Sequence, residues 1–284
     1  MSVLTSVVDY SKMIKLSHSI FAMPFALAAA VLAAAQVGWA WTQFLWIVLC
    51  MVTARSAAMG FNRIVDRDID ADNPRTAQRQ IPAGTISVGA AWAFTLGSAG
   101  LFCFFSWLLS PLCLMLSPAV LAIIMGYSLT KRFTALCHIF LGLALALAPS
   151  AAWIAMTGGI SATALMLSGI VGTWVAGFDI IYALQDHQFD AERGLNSIPA
   201  KLGPKGALVV SALLHVLTVG LLAGLPFVVE LGWIYWLGFA AITGVLVYEH
   251  WLVRPDDFSK IDKAFFDLNG YISLAFFGVV LLAM

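Results

Sequence analysis

The sequence predicts an all-α polytopic membrane bundle of nine transmembrane helices around a central cavity, with two Asp-rich motifs on the cytoplasmic side. Three observations carry this. The 284 residues are 61% hydrophobic and 11% charged, with a mean hydropathy of +0.93, where a soluble domain carries about 25% charged residues. Apolar runs of about 20 residues, the length that spans a bilayer as a helix, recur along the whole chain. Seven of the 15 acidic side chains fall in two short stretches, Asn62–Asp72 and Asp179–Asp190.

The spans follow in order. The first covers 17–37; the segment before it lacks a short apolar core with a small-residue cleavage site, so this span reads as a retained helix, not a signal peptide. The second, 42–60, follows the Gly38-Trp39 turn and runs on into polar residues, so its helix extends into the first acidic stretch. Spans three and four, 87–108 and 112–130, meet at Ser110-Pro111, where proline interrupts helical hydrogen bonding. Span five, 135–156, ends at Gly158-Gly159, and span six, 162–184, runs into the second acidic stretch. Span seven, 205–225, stops at Leu225-Pro226, and spans eight and nine, 232–251 and 264–283, complete a single domain over residues 1–284.

Charge placement orients the bundle. The 15 Lys and Arg residues sit at the N-terminus or around the connections that follow even-numbered spans. Cytoplasmic loops retain Lys and Arg, so the N-terminus and both acidic stretches face the cytoplasm, and an odd number of spans puts the C-terminus outside. Trp39, Trp41, Trp233 and Trp236 flank span ends on the far side, as interfacial anchors do. The zero net charge leaves no basic surface for nucleic acid, and nothing implies an obligate protein partner. The four cysteines stand singly in apolar sequence and read as small buried hydrophobes. The acidic stretches follow spans two and six, which suggests a distant duplication of two four-helix halves closed by a ninth helix, with two similar sites facing one another.

The acids carry the chemistry. Asn62, Asp66 and Asp70 are spaced i, i+4, i+8 and stack on one helix face; Asp68 and Asp72 lie on another. Asp179, Asp186 and Asp190 are spaced seven and four, again one face. Carboxylates this dense repel one another and are costly beside hydrocarbon, so a cation is expected to neutralise them. A solvated helix end with locally paired charges explains one such stretch; two, on one side of the membrane at corresponding points, argue for Mg²⁺. That ion takes few carboxylates and leaves positions for water and phosphate oxygens. Two acidic faces thus fit a diphosphate held through metal, with Lys131, Arg63 and Arg67 available as basic partners and Tyr127 one turn before Lys131. His187 reads as a surface residue, and His138, His215 and His250 show no ligand spacing.

At this point the pattern resembles the UbiA superfamily of intramembrane aromatic prenyltransferases. The matching residues are NxxxDxxxD at Asn62, Asp66 and Asp70, DxxxD at Asp186 and Asp190 preceded by Tyr182-Ala183, and Tyr127-xxx-Lys131. The stretches from Lys15 through His18 to Pro24 and from Phe265 through Asn269 to Tyr271 look like the bacterial 4-hydroxybenzoate polyprenyltransferase branch. The resemblance implies a nine-helix bundle in the bacterial inner membrane. It implies Mg²⁺-dependent transfer of a polyprenyl group from polyprenyl diphosphate to an aromatic acid in respiratory quinone biosynthesis. Asn62, Asp66, Asp70, Asp186 and Asp190 would hold Mg²⁺-diphosphate, and Lys131, Tyr127 and Arg67 would contact the diphosphate, with Asp179 nearby. The segment Lys15-Leu-Ser-His18 departs from the ubiquinone enzymes and looks more like relatives proposed to prenylate a dihydroxynaphthoate for menaquinone, which leaves hydroxybenzoate and hydroxynaphthoate both open as acceptors. His18, Arg63 and Asn269 are the candidates to hold the acceptor. The competing reading is a transporter for a divalent cation or phosphorylated solute, which also places carboxylates in the membrane but usually at its midplane on broken helices.

Overall fold

The computed structural model describes residues 3–14 and 21–284, with side chains from Val8 onward. His18 and Lys15 fall outside these. Among the described residues the chain is helical throughout, and the one extended pairing is an isolated bridge between Arg254 and Asp257. Seven helices are long and apolar enough to cross a membrane, which makes this an integral multi-pass membrane protein. Two further apolar helices are shorter or less apolar: α2, Met23–Val37, with 15 residues, and α11, Ile234–Leu252, with 19.

The chain divides into two compact units. The first comprises Met1–Ser19 and Leu45–Leu129. It holds α1 (Val3–Met13), most of α3 (Trp41–Val65), the short α4 (Arg67–Asp72), α5 (Val88–Leu109) and nearly all of α6 (Pro111–Thr130). Met13, Ile14, Ile64, Ile81, Ile86 and Ala91 form its buried cluster, and Tyr10 stacks on Phe94 with centroids 4.9 Å apart. Gly60 of α3 lies against Thr95 of α5 so closely that any Cβ there would collide with the threonine side chain. Close helix approach in lipid depends on small residues of this kind.

The second unit comprises Ile20–Phe44 and Thr130–Met284. It holds α2, α7 (Cys137–Thr157), α8 (Ala162–Ala183), α9 (His187–Glu192), α10 (Ile198–Gly224), α11 and α12 (Asn269–Ala283). α8 packs between α7 and α10, and α2 packs on α7 and α12. At the α7–α8 crossing a Cβ on Gly142 would collide with the carbonyl oxygen of Gly172. The first apolar helix therefore belongs with the later ones, not with its sequence neighbours as the four-plus-four division expects. Its alanines explain this: six of them are buried, giving a face smooth enough to nest against α7 and α12.

Two elements differ from the expected spans for local reasons. α10 begins at Ile198, seven residues before the expected span. Ser197 caps it by accepting a hydrogen bond from the Ala200 amide at 3.2 Å, as N-cap serines do, and it continues across a kink at Gly203, whose φ of 67° suits glycine. Before α12 lies a π-helical turn, Lys263–Leu268.

Candidate functional site

Both acidic motifs are built the same way. A long apolar helix breaks at an aspartate, a six-residue helix follows, and its fourth residue is a second aspartate. In the first motif α3 ends at Val65, Asp66 has φ −92° and ψ 2°, and α4 carries Asp70. In the second, α8 tightens into a 3-10 turn at Leu184–Asp186, Asp186 has φ −107° and ψ 4°, and α9 carries Asp190. These dihedrals lie in the sparsely populated bridge region where many active-site residues sit.

In the first motif the break does not interrupt the helical face. The Asp66 amide donates to the Asn62 carbonyl at 3.0 Å and the Asp70 amide to the Asp66 carbonyl at 2.7 Å. Asn62 Nδ2 donates to Asp66 Oδ2 at 3.1 Å. Asp66 and Asp70 are buried, at 2% and 4% exposure, while Asp68 and Asp72 are exposed. Buried carboxylates need charge partners, and arginines supply them. Arg79 Nη1 donates to Asp70 Oδ1 at 2.6 Å, and Arg63 Nη1 stands 4.0 Å from Asp70 Oδ2. Arg63 is itself buried; its Nε donates to the Met13 carbonyl at 3.2 Å and its Nη1 to Asn62 Oδ1 at 3.3 Å. Arg67 points away, exposed, and pairs with Asp68 at 3.4 Å. Arg79 had no role in the sequence reading. It reaches Asp70 because the following loop curls back: Thr76 Oγ1 donates to the Asp70 carbonyl at 3.0 Å and the Arg75 amide to Asn73 Oδ1 at 2.9 Å.

Arg55 is a second residue the spacing argument missed. It sits half-buried in α3, two turns before Asn62 on the same face, and its charge lies near Tyr127 of the same unit. A lone arginine inside an apolar span was the available signal, since such residues are costly there and mark function.

The second motif is more open. Asp179, Tyr182, Asp186 and Asp190 are all half-buried. His138, buried on α7, accepts from the Ile198 amide at Nε2 (3.4 Å), so its Nδ1–H donates to Asp179 Oδ2 at 2.7 Å. Ser197 hydrogen-bonds Asp190, and Lys131 and Asp186 lie in its electrostatic neighbourhood. The Asn196 amide donates to the Lys131 carbonyl at 2.7 Å, which ties the turn after α6 to the loop after α9. His187 Nδ1 bonds the Leu184 carbonyl at 2.8 Å and has no part in the carboxylate group. Asn269, a sequence candidate for the acceptor, is wholly buried, and its amide is fully used. Its Oδ1 accepts from Trp174 Nε1 at 2.7 Å, and its Nδ2 donates to Glu249 Oε1 and the Ala264 carbonyl, both at 3.0 Å.

Among the described residues no three His, Cys, Asp or Glu side chains converge as a ready cage. The buried part of the first motif is already balanced, two aspartates against two arginines. Yet Asp70 Oδ2 is buried without a hydrogen-bond partner among the described residues, an oxygen placed for a cation. Such a motif suits a hard ion that takes few protein ligands and arrives with its own phosphate counter-charge, better than a bare ion in an all-protein site.

Comparison with known proteins gives four findings. The model of the UbiA prenyltransferase family matches residues 22–277. A 4-hydroxybenzoate octaprenyltransferase of Pseudomonas fluorescens is 32% identical over 235 residues, 82% of this chain and 78% of its own length. The apo structure of a UbiA homolog from Aeropyrum pernix superposes with a TM-score of 0.83 at 33% identity, covering 93% of this chain and 97% of that one. A UbiA homolog from Archaeoglobus fulgidus, bound to GPP and Mg²⁺, shares the fold with a TM-score of 0.73 at 18% identity, over 96% and 99% of the two chains.

Proposed function

The chain belongs to the UbiA prenyltransferase family, and from that membership we propose that it transfers a polyprenyl group from polyprenyl diphosphate to the ring of an aromatic acid. The acceptor is 4-hydroxybenzoate or a related hydroxynaphthoate, and the product feeds respiratory quinone synthesis. The observation that carries this reading is the repeated motif of an aspartate at a helix break with a second aspartate four residues on. Family membership and the relatives' chemistry disfavour transport of a cation or phosphorylated solute.

In this reading Asn62, Asp66, Asp70, Asp186 and Asp190 hold diphosphate through Mg²⁺. Held by these residues, Mg²⁺ would supply charge neutralisation for the departing diphosphate. Lys131 and Tyr127 contact the diphosphate. Arg63 and Arg79 orient the first motif's carboxylates, a role supported by their bonds to Asn62 and Asp70. Asp179 is held by His138 and orients the approach to Asp186. Arg67, paired with Asp68 on the exposed face, adds long-range attraction for the anionic substrate. The acceptor's carboxylate needs a cationic partner in a low-dielectric site. Of the three residues first considered, Asn269 is saturated by the protein and Arg63 is engaged at Asn62 and Asp70; His18 keeps a place at the acceptor. Arg55 is the better-supported partner, a cation in apolar helix two turns above the carboxylates. The ring carbon ortho to the hydroxyl, the most electron-rich, attacks the allylic carbon, the carbon–oxygen bond to diphosphate breaks, and the ring proton leaves. Surrounding apolar side chains keep water from the allylic centre.

The chain crosses the bacterial inner membrane nine times in this reading, with both motifs and the N-terminus cytoplasmic and the C-terminus outside. The test is an assay of purified protein with Mg²⁺, a polyprenyl diphosphate and a panel of hydroxybenzoates and hydroxynaphthoates. Ring-prenylated product from at least one acid is expected. Diphosphate consumption with no aromatic product from any acid would overturn the acceptor class.

A further inference from the structure

Glu249 is an ionisable side chain in the apolar helix α11 and is fully buried. The proposed chemistry gives it no role. Its Oε1 accepts from Asn269 Nδ2 at 3.0 Å, while Oε2 has no hydrogen-bond partner among the described residues and stands 3.8 Å from His215 Nδ1. A carboxylate buried at this cost is retained for what it holds. What it holds is Asn269, whose other bonds go in two directions. Oδ1 takes the indole N–H of Trp174 on α8, and Nδ2 also reaches the Ala264 carbonyl inside the π-helical turn Lys263–Leu268.

Both directions end at the second acidic motif. Trp174, Phe178 and Tyr182 lie one turn apart along one face of α8, and Asp186 is the next position in that series. Phe265, from the π-helical turn, stacks on Tyr182 with centroids 4.1 Å apart and meets Phe178 edge-on at 5.4 Å. A π-helical turn carries one more residue than an α-helical turn, and such turns recur at functional sites. Here the turn carries Phe265 on the side that meets α8. Without an acceptor at position 249, Asn269 loses its fixed orientation. The turn then loses the bond that spans it, and Tyr182 loses the ring packed against it.

We propose that Glu249 is a positioning residue for the second acidic motif: through Asn269 it sets the π-helical turn that seats Phe265 on Tyr182, one turn before Asp186. The proposal rests on the reading of Asp186 and Asp190 as diphosphate-holding residues. Only the acceptor oxygen at position 249 is used, so glutamine serves as well as glutamate and leucine does not.

The test measures Mg²⁺-dependent binding of a non-hydrolysable prenyl thiolodiphosphate to detergent-purified full-length protein. E249L and F265L are each expected to weaken binding about ten-fold, with E249Q within about two-fold of wild type. The double variant E249L/F265L is expected to be no weaker than the worse single variant by more than about three-fold, because both act through one contact. F265L leaves no buried polar group unpaired and carries the test by itself if E249L fails to fold. Unchanged binding in F265L, or fully additive losses in the double variant, would overturn the proposal. D186A separates the two layers. If D186A abolishes binding and F265L does not alter it, the positioning claim fails alone; if D186A binds normally, the diphosphate reading fails and the positioning claim with it.

Discussion

Arg55 and Asp68 make opposite predictions from their surroundings. Arg55 stands in apolar helix on the face that carries Asn62 and Asp66, so it is positioned to take an anionic acceptor. A charged hydrogen bond contributes about 1.5–3 kcal/mol, so R55A should raise KM for the aromatic acid by about 10- to 100-fold while changing KM for the prenyl diphosphate less than three-fold. The reverse ranking would move Arg55 to the diphosphate. Asp68 is exposed and pairs with exposed Arg67; such pairs contribute about 0–1 kcal/mol, and D68A should retain kcat/KM within about three-fold. The face argument behind this contrast was legible in the i, i+4, i+8 spacing, because backbone bonding continues through Asp66. The partners of the acids were not. Arg79 reaches Asp70 through a loop, and His138 reaches Asp179 from a different helix, 41 residues away in the chain. No periodicity within one segment encodes contacts of that kind.

Among the elements, apolar run length predicted helix ends well where glycine, proline or serine punctuates the chain. The expected 87–108, 112–130 and 162–184 became Val88–Leu109, Pro111–Thr130 and Ala162–Ala183. It failed where hydrogen bonding, not polarity, decides. Ser197 starts α10 early despite the polar residues that follow, and the π-helical turn before α12 looks like ordinary helix in sequence. Glu249 passed unnoticed for the same reason: its partner Asn269 lies on the next helix, and side-chain pairing across helices leaves no local mark. The close α7–α8 crossing yields an element-level prediction. Because a Cβ on Gly142 meets the Gly172 carbonyl oxygen, with Ala176 also in contact range, G142V must push the helices apart. Overpacking of this kind costs about 1–3 kcal/mol, and a lower thermal midpoint of the detergent-solubilised protein should report it. G158V, far from any neighbour but at φ 75°, should lower the midpoint through backbone strain alone, while G97A, with open space around it, should leave it unchanged.

For the whole molecule, the partition of Lys and Arg among the connections predicts that single-cysteine labels at Gly38 and Gly158 react with an impermeant reagent from outside intact cells, while labels at Gly84 and Gly203 do not. External labelling at Gly84 would invert the orientation. The central claim is that two acidic motifs, built alike on two separate helices, serve one prenyl transfer. The most direct measurement is the rate of ring prenylation by wild type, D66A and D186A in the same Mg²⁺-containing assay, with correct membrane insertion verified for each. In the proposed reading each carboxylate holds Mg²⁺-diphosphate, so its loss would remove several kcal/mol of transition-state stabilisation, and each single variant should lose at least about two orders of magnitude in rate. Near-wild-type prenylation by either folded variant would contradict the account.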